Sequence, residues 1–270
     1  MKHVNDLPRR DFLRTGLASI PLLSTAAQGH AAEPAAANGR VITLDARSEP
    51  VRFDTAKTAV LVIDMQNDFG AKGGMLDRDG VDISGIRKAV GPTARALAAA
   101  RRAGIRVVYL KMGFHPDLSD LGAPDSVNRV RHLKSGVGQT VRTPDGREGR
   151  VLIRDTWNTD ILDELKPESG DEVVYKTRFS GFYATDLDAR LKKMGARHLI
   201  ITGCTTSVCV DSTVRDAMFR DYLCVLLADC MSEPIGQGLS RSNHDASLLT
   251  AEVLLGWVSD SVRFVESLKG

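Results

Sequence analysis

The chain has few cysteines, few aromatic residues and almost no excess charge, and each shortage removes a class of protein. Only Cys204, Cys209, Cys224 and Cys230 stand among its 270 residues. No two are spaced as CxxC, which argues against a zinc site and against a thioredoxin-like redox pair. Cys204, Cys224 and Cys230 lie in or beside apolar strand-like runs. A free thiol packs there as a small hydrophobe, so retained thiols are expected rather than disulfides. The 36 Lys and Arg against 34 Asp and Glu leave a formal net charge of +2. Aromatics make up 5% and do not interleave with basic residues, so no nucleic-acid partner is expected. No apolar run approaches the ~20 residues of a membrane-spanning helix. What remains is 43% hydrophobic and 26% charged, an ordinary globular composition. It is long enough for one large domain or two small ones, and no internal repeat divides it.

The N-terminus reads separately. Pro8-Arg9-Arg10-Asp11-Phe12-Leu13-Arg14 resembles a twin-arginine export signal, and a modestly apolar stretch over 15–27 leads to small residues around Gly29-His30-Ala31. That is the order of a secretory signal, with cleavage expected near Ala31 or Ala32. Residues 1–32 are therefore set apart as a signal peptide and 33–40 as an Ala/Pro linker. One domain over 41–270 remains, with an exported or periplasmic location expected. A twin-arginine route carries proteins already folded in a reducing compartment, which suits retained thiols.

From residue 58 onward strand-like and helix-like segments alternate. Strands are expected over 58–63, 105–110, 172–175, 198–202 and 223–228. Helices are expected over 84–103, 156–165 (with Asp155 as a cap), 184–194, 207–220 and 239–258. Such alternation predicts a parallel sheet with helices on both faces. Leu199-Ile200-Ile201 and Val225-Leu226-Leu227 read as strands buried on both sides. The stretch 111–154 is rich in Gly, Pro and charge, and a long irregular segment inside a compact domain is usually functional.

In sheets of this kind ligands sit at the carboxyl ends of the strands. That rule selects Asp64 after Ala59-Val60-Leu61-Val62-Ile63, Lys176 after Val173-Val174-Tyr175, and the turn leading to Cys209. Each has an ordinary reading: a capping carboxylate, a solvated lysine, a packing cysteine. Together they supply a base, a cation and a nucleophile. Cys209 falls where a helix begins, and unpaired N–H groups with the positive end of the dipole favour a thiolate.

Three segments carry a resemblance. Val62-Ile63-Asp64-Met65-Gln66-Asn67-Asp68-Phe69, Lys176-Thr177-Arg178-Phe179-Ser180-Gly181-Phe182 and Gly203-Cys204-Thr205-Thr206-Ser207-Val208-Cys209-Val210 resemble, in family order, the signatures of the isochorismatase-like cysteine hydrolases. The resemblance spans about 41–262. It implies a three-layer α/β/α fold with a doubly wound, mainly parallel six-stranded sheet. It also implies a triad with Cys209 as nucleophile, Asp64 as general base and Lys176 as stabilising charge. A non-proline cis peptide at Cys204–Thr205 would accompany it, with the backbone N–H groups of Thr205 and Cys209 as oxyanion donors. Gly73-Gly74-Met75-Leu76-Asp77, Trp157-Asn158 and the lysine segment are similar to the ureidoacrylate amidohydrolases.

The implied activity is cleavage of a C–N bond in a small amide or ureido compound through a thioester, with release of ammonia or carbamate. Phe114 and Phe179 stand where those enzymes carry Trp and Tyr, and an export signal departs from a cytoplasmic catabolic role, so the substrate stays open. Asn128, Phe114, Phe179 and Phe182 are the expected substrate contacts. Nicotinamidases of the family bind a metal through an Asp/His cluster. His115 is the single histidine in 111–117, so no metal and no cofactor are expected. His198 and His244 read as structural or exposed. A small-molecule substrate and a homo-oligomer complete the expectation. Vinyl-ether hydrolysis of the isochorismatase type and a non-catalytic binding protein of the same fold are the alternatives.

Overall fold

Six consecutive buried residues form the strand at the centre of the molecule. The computed structural model describes residues 39–269. The export segment expected over 1–32 and most of the linker lie outside the described residues. In chain order the strands are β1 (Val41–Leu44), β2 (Val51–Asp54), β3 (Thr58–Ile63), β4 (Arg106–Met112), β5 (Thr140–Arg142), β6 (Glu148–Arg150), β7 (Glu172–Lys176), β8 (His198–Cys204), β9 (Leu223–Ser232) and β10 (Gly256–Ser259). The helices are α1 (Asn67–Gly70), α2 (Met75–Arg78), α3 (Ser84–Arg102), α4 (Val127–Lys134), α5 (Leu187–Lys193), α6 (Asp211–Met218), α7 (Asn243–Thr250) and α8 (Ser261–Ser267).

The main sheet has the order β10-β9-β8-β3-β4-β7, and every neighbouring pair is parallel. Strand side chains alternate between two cores, as a period of two requires. Val60, Val62, Val107, Tyr109, Ile200 and Val225 face Ile86, Val90 and Leu97 of α3 and Phe264 of α8. Ala59, Leu61, Ile63, Val108, Leu199 and Ile201 face Leu187 and Leu191 of α5, Val214 and Ala217 of α6, and Leu248 of α7. Each fully buried aliphatic side chain in these layers stabilises the fold by about 1.5–3 kcal/mol. A third, smaller core joins Met75 of α2 to Met112, Phe114, Leu121, Val141, Val151 and Ile153 of the region expected to be irregular. That region contains α4 and the β5–β6 hairpin, so its shape is packed rather than loose.

Three helical expectations change. The 239–258 segment breaks after α7 into a π-turn over Ala251–Leu255 and then β10, the sixth parallel strand. A Cβ on Gly256 would lie 2.2 Å from the Cys224 carbonyl oxygen, so only glycine lets this edge strand close on β9. The 156–165 helix is instead two 3-10 turns, Trp157–Thr159 and Asp163–Leu165. Tertiary bonds hold it open, because Asn158 Nδ2 donates to Asp68 Oδ1 at 2.7 Å and Asn67 Nδ2 donates to the Trp157 carbonyl at 2.8 Å. Asp155 is a turn residue at φ 59°, not a cap. The 207–220 helix opens with a π-turn, Thr206–Val210, and becomes α-helical only at Asp211.

Candidate active site

β3, β7 and β8 end on one edge of the sheet, and their terminal residues meet there. Asp64 leaves β3 at φ 52°, a left-handed conformation that Asp tolerates better than most residues. Its N–H donates to the Leu110 carbonyl at 2.9 Å, and its Oδ1 accepts from the Met112 N–H at 3.0 Å. Oδ2 accepts from Lys176 Nζ at 2.7 Å. Lys176 pairs in register with Met112, which places it two strands over, across β4 from Asp64. Its ammonium is fully buried and also donates to the Arg178 carbonyl at 3.3 Å. Burial works against that charge, yet Asp64 and Cys209 hold the lysine above its ordinary pKa. A buried ion pair of this kind is costly to break from one side only.

Cys209 sits in the π-turn, buried, and lines the same cavity as Asp64. Burial and then the Asp64 charge push this thiol up, and Lys176 only partly offsets them. Burial thus opposes the thiolate that the turn's N–H groups favour. The Cys204–Thr205 peptide is cis. The Cys204 thiol donates to the Asp64 carbonyl at 3.1 Å, and burial, Asp64 and Cys209 hold it protonated. A Cβ on Gly203 would meet the Ile63 carbonyl oxygen at 2.0 Å, and its φ is 123°. Glycine is required where the nucleophile strand passes Asp64.

The turn is braced from outside. The Ser207 N–H and Oγ both bond Glu233 Oε2, at 2.8 and 2.5 Å, while Glu233 Oε1 accepts from the Ile235 N–H at 2.9 Å. Thr206 Oγ1 lies 2.8 Å from His244 Nδ1. Thr213 Oγ1 donates to the Cys209 carbonyl at 2.7 Å and accepts from the Gly181 N–H at 3.0 Å, which ties the turn to the loop after Lys176. Glu233 carries no motif, but it follows β9 directly, so the strand-end rule could have found it.

A cavity of about 450 Å³ opens above these residues. Asp64, Cys204, Thr205 and Cys209 form its polar floor, with Met75, Leu76, Met112 and Leu152 as an apolar wall. Arg131, His132, Phe179 and Glu233 also line it. Of the four expected substrate contacts, only Phe179 borders this space, with 44% of its surface exposed. Phe114 is wholly buried in the third core, edge-on to His132. Phe182 drops into the helix-side core and stacks on Tyr222, where an apolar ring is better buried than at a polar floor. Asn128 spends its amide on the Leu121 carbonyl at 2.9 Å and so pins α4 rather than facing the cavity. His115 is exposed beside Asp120 and Arg154. Among the described residues no group of three His, Cys, Asp or Glu side chains is gathered to hold a metal.

Asp68 was part of a motif but had no role assigned from sequence. It is fully buried, and its carboxylate accepts from the Met75 N–H at 3.0 Å, the Leu152 N–H at 2.7 Å and Asn158. Burial raises its pKa to about 6 against the pull of those donors. It joins two residues of the cavity wall through one side chain.

Buried Asp, Lys and Cys side chains thus gather at the strand ends of a doubly wound sheet. The isochorismatase domain model matches residues 58–262, and the chain belongs to that family. Among its relatives is the ureidoacrylate amidohydrolase RutB of Methylorubrum extorquens, 42% identical over 236 residues, covering 87% of this chain and 92% of that one. The ureidoacrylate amidohydrolase RutB of Serratia proteamaculans is 39% identical over 227 residues, 84% of this chain and 89% of its own. A cysteine hydrolase from Pseudomonas syringae pv. phaseolicola superposes with a TM-score of 0.67 at 28% identity, covering 86% of this chain and 99% of that one. The N-carbamoylsarcosine amidase of Thermoplasma acidophilum does so with a TM-score of 0.55 at 25% identity, over 76% and 96%.

Proposed function

We propose that this hydrolase of linear, non-peptide C–N bonds cleaves a small ureido or carbamoyl acid through a thioester on Cys209. The observation that carries the reading is the buried Lys176–Asp64 ion pair at 2.7 Å, with Asp64 and Cys209 both on the cavity floor. Asp64 accepts the Cys209 proton as sulfur attacks the carbonyl carbon, and Lys176 balances the negative charge that remains. Burial pushes the thiol up, so a base must take its proton as sulfur attacks. The Thr205 and Cys209 N–H groups take the oxyanion. Collapse breaks the C–N bond, and the amine leaves with the proton from Asp64. Water, deprotonated by Asp64, then attacks the thioester carbon. The carbamate is released and Cys209 recovers its proton.

The relatives' names support the ureido class: ureidoacrylate and N-carbamoylsarcosine both present a carbamoyl nitrogen. The test is ammonia release across a panel of ureido acids, biuret and simple amides, with Cys209→Ser as control. The serine variant should melt like the parent and lose at least about 10³-fold in kcat. Full turnover by that variant would exclude the thioester route.

A further inference from the structure

At the cavity, His132 has one of its two ring nitrogens engaged by the protein. Its Nδ1 lies 2.6 Å from the Asn128 carbonyl of the preceding helical turn. A carbonyl only accepts, so Nδ1 carries the proton. In the neutral ring Nε2 is then a bare acceptor. Burial, with the charges of Lys176 and Arg178, lowers the histidine pKa against the Asn128 bond and keeps the ring neutral. The ring cannot turn away freely. Phe114 meets it edge-on at 5.2 Å and 73°, and Phe179 leans on it at 5.9 Å and 35°. Nε2 has no protein partner, and the residue lines the cavity that holds Cys209.

We infer that His132 is a specificity residue whose Nε2 accepts a hydrogen bond from the substrate's terminal carbamoyl NH₂. This rests on the ureido reading above and names the group that reads the nitrogen. It also gives Asn128 and Phe114 a part: they fix the tautomer and the plane of the ring instead of touching substrate. A site that offers an unpaired acceptor discriminates against a ligand lacking the matching donor, because the acceptor is then left dry and unpaired.

The test pairs 3-ureidopropionate with its N′,N′-dimethyl analogue in wild type, His132→Phe and His132→Gln. Phenylalanine keeps the aromatic packing and removes the acceptor; glutamine restores one. Wild type should prefer the NH₂ substrate in kcat/KM, and His132→Phe should lose about 10- to 100-fold of that preference, mostly through KM. His132→Gln should recover part of it, with melting temperatures unchanged. In the Cys209→Ser protein, 3-ureidopropionate should move the ¹⁵N resonance of His132 Nε2 upfield. An unchanged preference in His132→Phe, or ligand binding that leaves Nε2 unmoved, overturns the inference while the ureido reading stands. No turnover by wild type and no binding by Cys209→Ser would overturn both.

Discussion

At the scale of single residues, charge and burial oppose each other in the site. Burial and the Asp64 charge push the Cys209 thiol up, and Lys176, already paired with Asp64, offsets them only in part. Arg131 shows the converse. It lines the cavity, is exposed, and takes part in none of the ion pairs found among the described residues. A free guanidinium beside an apolar wall suits the carboxylate end of a ureido acid. Arg131→Gln should raise KM for 3-ureidopropionate about 10- to 100-fold and leave KM for a neutral amide such as propionamide unchanged. Equal effects on the acid and the amide would remove the arginine from substrate recognition. Neither Arg131 nor His132 was legible in the sequence. Both sit on a short helix with no motif, and only the packing of α4 over the cavity brings them near Cys209.

At the scale of elements, Asp68 is the joint between the first motif and the cavity wall. Asn in its place keeps one acceptor and turns an NH₂ toward a backbone donor, so Asp68→Asn should cost about 2 kcal/mol. For a chain of this size that is about 4–8 °C in Tm near pH 7.5. The carboxyl is protonated below about 6 in the folded chain and only below about 3.9 when unfolded. Between those values the folded state holds the extra proton, so this group's contribution to stability falls as pH rises through the window. The Tm gap between wild type and Asp68→Asn should therefore widen from pH 7.5 to 5.5; a narrowing gap would refute the raised pKa. The element boundaries that sequence misread share one cause. Buried polar side chains such as Asn67, Asn158 and Asp68 hold residues 156–165 in separate turns, and a glycine turned the end of a helical pattern into β10. Long-range bonds override local periodicity there, and periodicity contains no record of them.

At the scale of the whole molecule, one parallel sheet carries its site along one edge, and all four cysteines are buried and free. Burial alone pushes Cys224 up to about 12, so it packs rather than reacts. Thiol titration in guanidinium without reductant should count four groups per chain, while the native protein should expose almost none; fewer than four in denaturant would reveal a disulfide. The sequence by itself determined the class of fold and the floor of the site. Apolar runs of strand length mark a parallel sheet, and the first residue after such a run must lie at its carboxyl edge, so Asp64, Lys176 and the Cys209 turn could be brought together by counting. Only the tertiary structure decided which side chains wall the cavity and which groups are charged. Those depend on how residues far apart in the chain exclude water from one another, and desolvation has no local signature.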